Sequence, residues 1–190
     1  MAHLKIVVIG VGSYVFGPSM LSQVILEHRL EGIELALLDI DEQIVNLMAG
    51  VGQRMARETG VNLQVTAYTN RQRAFEGADF VISSVVREMR KRYFMDRDII
   101  ERYIPGHLQT EFGGISGINN SLRQITLVRE ITDDMKRWCP DAWLLNVANP
   151  LPRVCQAAHE NGVKTVGFCS VALDVYGTTW KIIKGERIHY

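Results

Sequence analysis

A glycine turn placed straight after the first apolar run constrains this chain more than any other feature. Leu4–Ile9 is apolar except for Lys5, and an unbroken apolar run of that length reads as a strand buried on both faces, as in a parallel sheet. Gly10-Val-Gly12-Ser13 follows, and then an amphipathic stretch expected to be helical from about Pro18 to His28. A strand that ends in glycines and opens a helix makes a tight turn, and it leaves backbone amides at the helix start open to a pyrophosphate. Val15 stands where a G-x-G-x-x-G pattern would place its third glycine, and Gly17 comes two residues later. The alternative for the turn is an ordinary β–α connection.

The rest of the chain repeats the alternation. Strands are expected at Glu34–Leu38, Leu63–Ala67, Phe80–Ser83, Trp143–Asn146 and Thr165–Phe168. Between them, Asp41 is placed to cap a helix with Ile44, Met48, Val51 and Met55 on its apolar face. A short helix is expected near Arg71–Phe75 and a charged one over Glu88–Tyr103. Pro105–Gly117 reads as a polar, glycine-rich loop. A long helix then opens at Asn119 or Asn120, with Leu122, Ile125, Val128, Ile131, Met135 and Trp138 along one face. Such β-α alternation implies an α/β fold of the Rossmann type, a doubly wound parallel sheet. The 190 residues are expected to form one such domain, the N-terminal part of a longer enzyme without its substrate domain.

Composition narrows the function classes. Positive and negative side chains balance at a formal net charge of zero, so nothing points to nucleic acid or a membrane surface as partner. No stretch approaches the apolar length of a membrane span. The first residues lack a signal-peptide pattern, which makes the cytoplasm the expected compartment. Cys139, Cys155 and Cys169 are odd in number and widely spaced, unlike a disulfide framework or a zinc site.

Several residues at expected strand ends carry chemistry. Asp39 closes the second strand, about 20 residues past the glycine turn, where a carboxylate binds both ribose hydroxyls of NAD and repels a 2′-phosphate; its other reading is a cap or turn residue. Asn146 and Asn149, in Asn146-Val-Ala-Asn149-Pro150, follow the fifth strand. Their amides can donate and accept at once, which suits sugar or ribose hydroxyls. Arg87 ends the fourth strand, and Glu111 lies in the loop after it; both are candidates for the same crevice. Cys169 follows the sixth strand, where a thiolate could bind a metal, although a lone cysteine is more often packing. Cys139 and Cys155 read as packing, Arg90, Lys91 and Arg92 as a solvated helix face, and His3, His28 and His159 as surface residues. His107, in the loop, has no partner for a metal site.

Taken in order, these motifs resemble the NAD- and metal-dependent glycosidases of glycoside hydrolase family 4. The resemblance runs along the whole chain: the Gly-x-Gly-Ser turn, Leu-Asp39-Ile-Asp41, Arg87, the Gln-x-Glu111 loop, Cys-Pro-Asp-Ala-Trp-Leu-Leu-Asn146, Ala-Asn149-Pro150 and Val-Gly-Phe-Cys169. It implies hydrolysis of a glycoside through oxidation at sugar C3 by bound NAD, loss of the acidified C2 proton with help from a divalent metal, usually manganese, and elimination of the C1 group. It also implies Cys169 as a metal ligand, Asn149, Arg87 and Glu111 as sugar contacts, and Gly10, Gly12, Ser13, Asp39 and Asn146 as cofactor contacts. A small-molecule glycoside as substrate and a homo-oligomer as the full-length form are further implications. Ser170 departs from the His or Asn that many members have after the cysteine. The family's metal-binding histidine and its base lie further along a longer chain, and His189 and Tyr190 are given neither role. Two alternatives stand beside this: a 2-hydroxyacid dehydrogenase with Arg87 and Arg90 gripping a carboxylate, and a non-catalytic NAD-sensing module.

Overall fold

The computed structural model describes residues 4–169 together with 179–180 and 183–184; His3, Ser170, His189 and Tyr190 lie outside the described residues. Six strands form one sheet: β1 (Leu4–Ile9), β2 (Ile33–Leu38), β3 (Gln64–Tyr68), β4 (Phe80–Ser83), β5 (Trp143–Asn146) and β6 (Lys164–Gly167). Their spatial order is β3-β2-β1-β4-β5-β6 and every pairing is parallel, with Val8 opposite Leu37 on one side and Ile82 on the other. Parallel neighbours need crossovers, and helices supply them: α1 (Phe16–Leu21, continuing as a wider π-helical coil over Ser22–Glu27), α2 (Glu42–Thr59), α3 (Arg71–Phe75), α4 (Met89–Tyr103), α5 (Gly114–Trp138) and α6 (Leu151–Glu160). Among the described residues no helix is long and apolar enough to cross a membrane.

The alternation of side chains along each strand divides the core in two. Ile6 and Val8 of β1 join Leu35 and Leu37 of β2 under α1 and α2. Val7 and Ile9 join Ala36, Leu38 and Val81 under α3, α5 and α6. Each large aliphatic side chain buried in these layers contributes about 1.5–3 kcal/mol. Lys5 is the exception in β1. Its buried ammonium donates to the carbonyls of Arg73 and Glu76, sits 3.7 Å from Glu34 and lies over the Tyr68 ring.

Three expectations about helices are corrected. The buried face of α2 is Val45, Ala49, Gly52 and Ala56, one residue on from the expected stripe; Ile44 and Val51 are exposed. Small residues let the helix sit close on the sheet, and a Cβ on Gly52 would already come within 3.3 Å of Leu21 and Val65. The π-helical coil ends α1 where a plain α-helix was expected, and α1 starts two residues early. The long helix α5 starts at Gly114, inside the stretch read as loop. Gly114, Ser116 and Gly117 have low propensity inside a helix, and the first turns of α5 are held from outside. The Ser116 hydroxyl bridges the amide and carbonyl of Thr110, and Arg153 of α6 donates to the Gly117 carbonyl and the Ser121 hydroxyl. A side chain at Gly117 would press on the Phe112 carbonyl, 2.8 Å away. Along α5 Leu122 is exposed, and Ser121 and Gln124 are buried in its place.

Candidate functional site

The strand C-termini open onto a crevice of about 1030 Å³ that runs from β3 across β2, β1 and β4 to β5. Ligands of open α/β sheets bind at this edge. The chain places Thr69, Asn70 and Arg71 at one end of it, Asp39 and Ile40 next, Gly10 and Ser13 in the middle, and Arg87, Glu111 and Asn149 further along.

The glycine turn is built from internal constraints. Gly10 has φ +82°, which an L side chain rarely adopts, and a Cβ there would lie 2.6 Å from Val85. Gly12 donates its amide to Asp39 Oδ2 at 2.8 Å, an approach that a Cβ on Gly12 would obstruct. Gly17 packs α1 onto the end of β1, because a Cβ there would collide with the Val11 carbonyl. The helix-packing glycine thus stands at 17, and Val15 is exposed. Ser13 accepts from the Phe16 amide with its hydroxyl. No acid stands in the first turn of α1.

Asp39 lies at the end of β2 with one carboxylate oxygen on Gly12 and the other accepting from the Asp41 amide at 3.2 Å. Each oxygen has a second lone pair, so the carboxylate is oriented by the protein and can still accept from two hydroxyls. Asp41 does cap α2, accepting from Gln43 and Ile44.

Glu111 and Asn149, distant in sequence, meet in the crevice: the Asn149 amide donates to Glu111 Oε2 at 3.3 Å. The Asn149–Pro150 peptide is cis and Pro150 leads into α6. Arg87 faces the crevice but forms an ion pair of 2.9 Å with Glu130 of α5. One turn along α5, Asp134 holds Arg71 at 2.7 Å. Sequence reasoning missed Glu130, Asp134 and Arg71. Their signal, two acids four apart on a charged helix, looks like a solvated surface until the fold brings strand-end arginines across to them.

Asn146 does not take the place expected of a cofactor contact. It is fully buried and off the crevice wall, its amide donating to the Ala148 carbonyl and facing Cys155 Sγ, while its oxygen accepts from the Ala148 amide. It shapes the loop that presents Asn149. Cys169 is exposed beyond β6 and is absent from the crevice lining. Among the described residues no group of three or more His, Cys, Asp or Glu gathers in metal-holding geometry. Burial raises the Cys139 thiol to about 11 and also raises that of Cys155, as suits packing residues. Lys91 and Arg92 pair with Glu88 on the surface of α4.

The sheet order, the helices on both faces and the crevice at the strand ends define a Rossmann-type α/β domain. Residues 5–184 match the model of the family described as family 4 glycosyl hydrolase. The α-galactosidase of Bacillus subtilis (strain 168) is 32% identical over 167 residues, 87% of this chain and 39% of that protein. The α-glucosidase of Erwinia rhapontici is 32% identical over 168 residues, 87% of this chain and 37% of that protein. A solved 6-phospho-β-glucosidase of Thermotoga maritima, crystallised with manganese, NAD+ and glucose-6-phosphate, superposes with a TM-score of 0.80 at 22% identity, over 97% of this chain and 44% of that one. This chain belongs to family 4 of the glycosyl hydrolases. It spans about two fifths of the length of these curated relatives.

Proposed function

We propose that this chain is the NAD-binding portion of a family 4 glycosidase whose substrate is an α-glycoside, a uronide or a 6-phosphoglycoside. The observation that supports this best is the joint lining of one crevice by Gly10, Ser13 and Asp39 on one side and Arg87, Glu111 and Asn149 on the other. A dinucleotide laid along the strand ends would put its adenosine ribose at Asp39 and its far end towards Asn149. Bound NAD+ would accept a hydride from a sugar carbon and so acidify the neighbouring C–H. The chain's own residues bind and orient. Asp39 receives ribose hydroxyls, the Gly10–Ser13 turn leaves room for the pyrophosphate, and Glu111 and Asn149, already hydrogen-bonded to each other, offer acceptor and donor atoms to sugar hydroxyls.

The described residues fit the dinucleotide. For manganese the described residues gather no group of three or more His, Cys, Asp or Glu, and Cys169 stands off the crevice lining, so they do not by themselves form a metal site. A hydroxyacid dehydrogenase would use Arg87 to grip a carboxylate in competition with Glu130, 2.9 Å away; the family match favours the glycosidase. Nor does any described residue stand out as a base for the C2 proton, and loss of a positioned base costs about 10²–10⁴-fold in rate. The test is calorimetric titration of the 190-residue chain with NAD+, together with a glycoside assay containing Mn²⁺ and NAD+. Saturable NAD+ binding without turnover is expected. Failure to bind NAD+ would overturn the proposal.

A further inference from the structure

At the β3 end of the crevice stands Arg71, beside the end of the strand that leads into Asp39. Arg71, Asn70, Asp39 and Ile40 line the same wall. If Asp39 accepts from the ribose hydroxyls, as proposed above, a phosphate on the 2′-oxygen would be brought to the end of β2, which adjoins the end of β3 through the Asp39 amide and the Tyr68 carbonyl, 3.2 Å apart. An arginine in this position is the usual answer to a 2′-phosphate, because a guanidinium grips phosphate through paired, charge-assisted hydrogen bonds. Here the guanidinium is already engaged, with its Nε 2.7 Å from Asp134 Oδ2 on α5. Asn70 uses its side-chain oxygen to cap α3, accepting from the Arg73 amide.

We infer that Arg71 is a latent phosphate-binding residue and that Asp134, by engaging it, is a second determinant of preference for the unphosphorylated dinucleotide. Asp39 acts directly, by repelling a 2′-phosphate. Asp134 acts through Arg71, neutralising the positive charge that would offset that repulsion. The acid of α5 lies outside the strand-turn segment that usually sets this specificity, which is why the pattern Asp39-Ile-Asp41 does not reveal it.

This inference rests on NAD binding at Asp39, and the two can fail separately. NAD+ and NADP+ are titrated calorimetrically into the wild-type chain, Asp134→Asn, Arg71→Gln and the double variant. In Asp134→Asn, NADP+ affinity should rise about tenfold, the scale of one charge-assisted bond, with NAD+ affinity changed less than about twofold. Arg71→Gln alone leaves Asp134 without its partner and should lower NADP+ affinity, while in the double variant the gain of Asp134→Asn should be abolished. An unchanged NADP+ to NAD+ ratio in Asp134→Asn overturns the inference while leaving NAD binding intact. So does a double variant that keeps the full gain of Asp134→Asn, because the gain then does not pass through Arg71; Asp134→Ser takes the place of Asp134→Asn if that variant does not fold. A wild-type chain that binds neither dinucleotide overturns the underlying assignment instead.

Discussion

The Gly12 amide and the Asp39 carboxylate are hydrogen-bonded at 2.8 Å, so the first turn and the end of the second strand are one unit. The bond exists because Gly12 has no side chain: a Cβ would stand 2.8 Å from both Asp39 Oδ2 and Ile44. Gly12→Ala should therefore destabilise the fold by about 1–3 kcal/mol through overpacking and weaken NAD+ binding in parallel. Gly17→Ala should cost more, since the obstacle is the Val11 backbone carbonyl, which cannot rotate away. Gly50, exposed in α2 with open space around it, should behave oppositely: Gly50→Ala should stabilise by about 0.5–1 kcal/mol. Urea unfolding of the three variants checks the order.

Asp39→Ala should weaken NAD+ by about 1.5–3 kcal/mol, the worth of hydrogen bonds to a charged acceptor. It should also lower the melting temperature, because the Gly12 amide loses its partner. Asp39→Asn should retain more stability and narrow the gap between NAD+ and NADP+. Calorimetry alongside thermal unfolding separates the effects; an Asp39→Ala chain that binds NAD+ normally would rule out the ribose assignment.

Asp96, on α4 and buried against α5, accepts from Asn119 and from both terminal guanidinium nitrogens, Nη1 and Nη2, of Arg123. Removing one partner of a buried pair leaves an uncompensated charge. Arg123→Met should destabilise by about 3 kcal/mol. Arg54→Met, which breaks an exposed pair with Glu58 on α2, should leave stability nearly unchanged. Denaturant midpoints measured at constant m-value test the contrast.

Cys139 gives a pH signature. Its thiol is raised by burial from an ordinary 9.0 to about 11. Between those values the unfolded chain has lost the proton and the folded chain still holds it, so stability is intact below about pH 9 and falls as pH rises towards 11. The loss approaches about 2 kcal/mol. Unfolding curves from pH 8 to 11 should show this decline, and Cys139→Ala should flatten it. At pH 8 a thiol reagent should modify exposed Cys169 well before Cys139.

Local chemistry made much of this legible. The strands follow from short apolar runs, and Asp39 from its distance past a glycine turn. Arg87 and Asn149 could be placed at the crevice because each follows a strand whose end lies on one edge, and the glycine-rich loop with Glu111 was read as facing the same crevice as Arg87. What escaped depends on long-range partners. The start of α5 is poor helix sequence rescued by Thr110 and Arg153. Asn146 looks as available as Asn149 until the loop closes over it. Glu130 and Asp134 gain meaning only when the sheet carries Arg87 and Arg71 to them. In α2 the bulky residues misled, because the contact surface is made of small ones.

The two-sided core also dictates an order of assembly. Among the described residues, every buried side chain of the layer under α1 and α2 comes from between Ile6 and Val65, so that layer can close as soon as the first third of the chain exists. The opposite layer needs Val128, Leu144 and Val163 to return to strands made long before. Until they do, Val7, Ile9, Ala36 and Leu38 face water on a half-built sheet. Parallel pairing across such separations is slow. A domain folding as it is synthesised would therefore have one face complete before the other, and aggregation at that point would begin at the face later covered by α5 and α6.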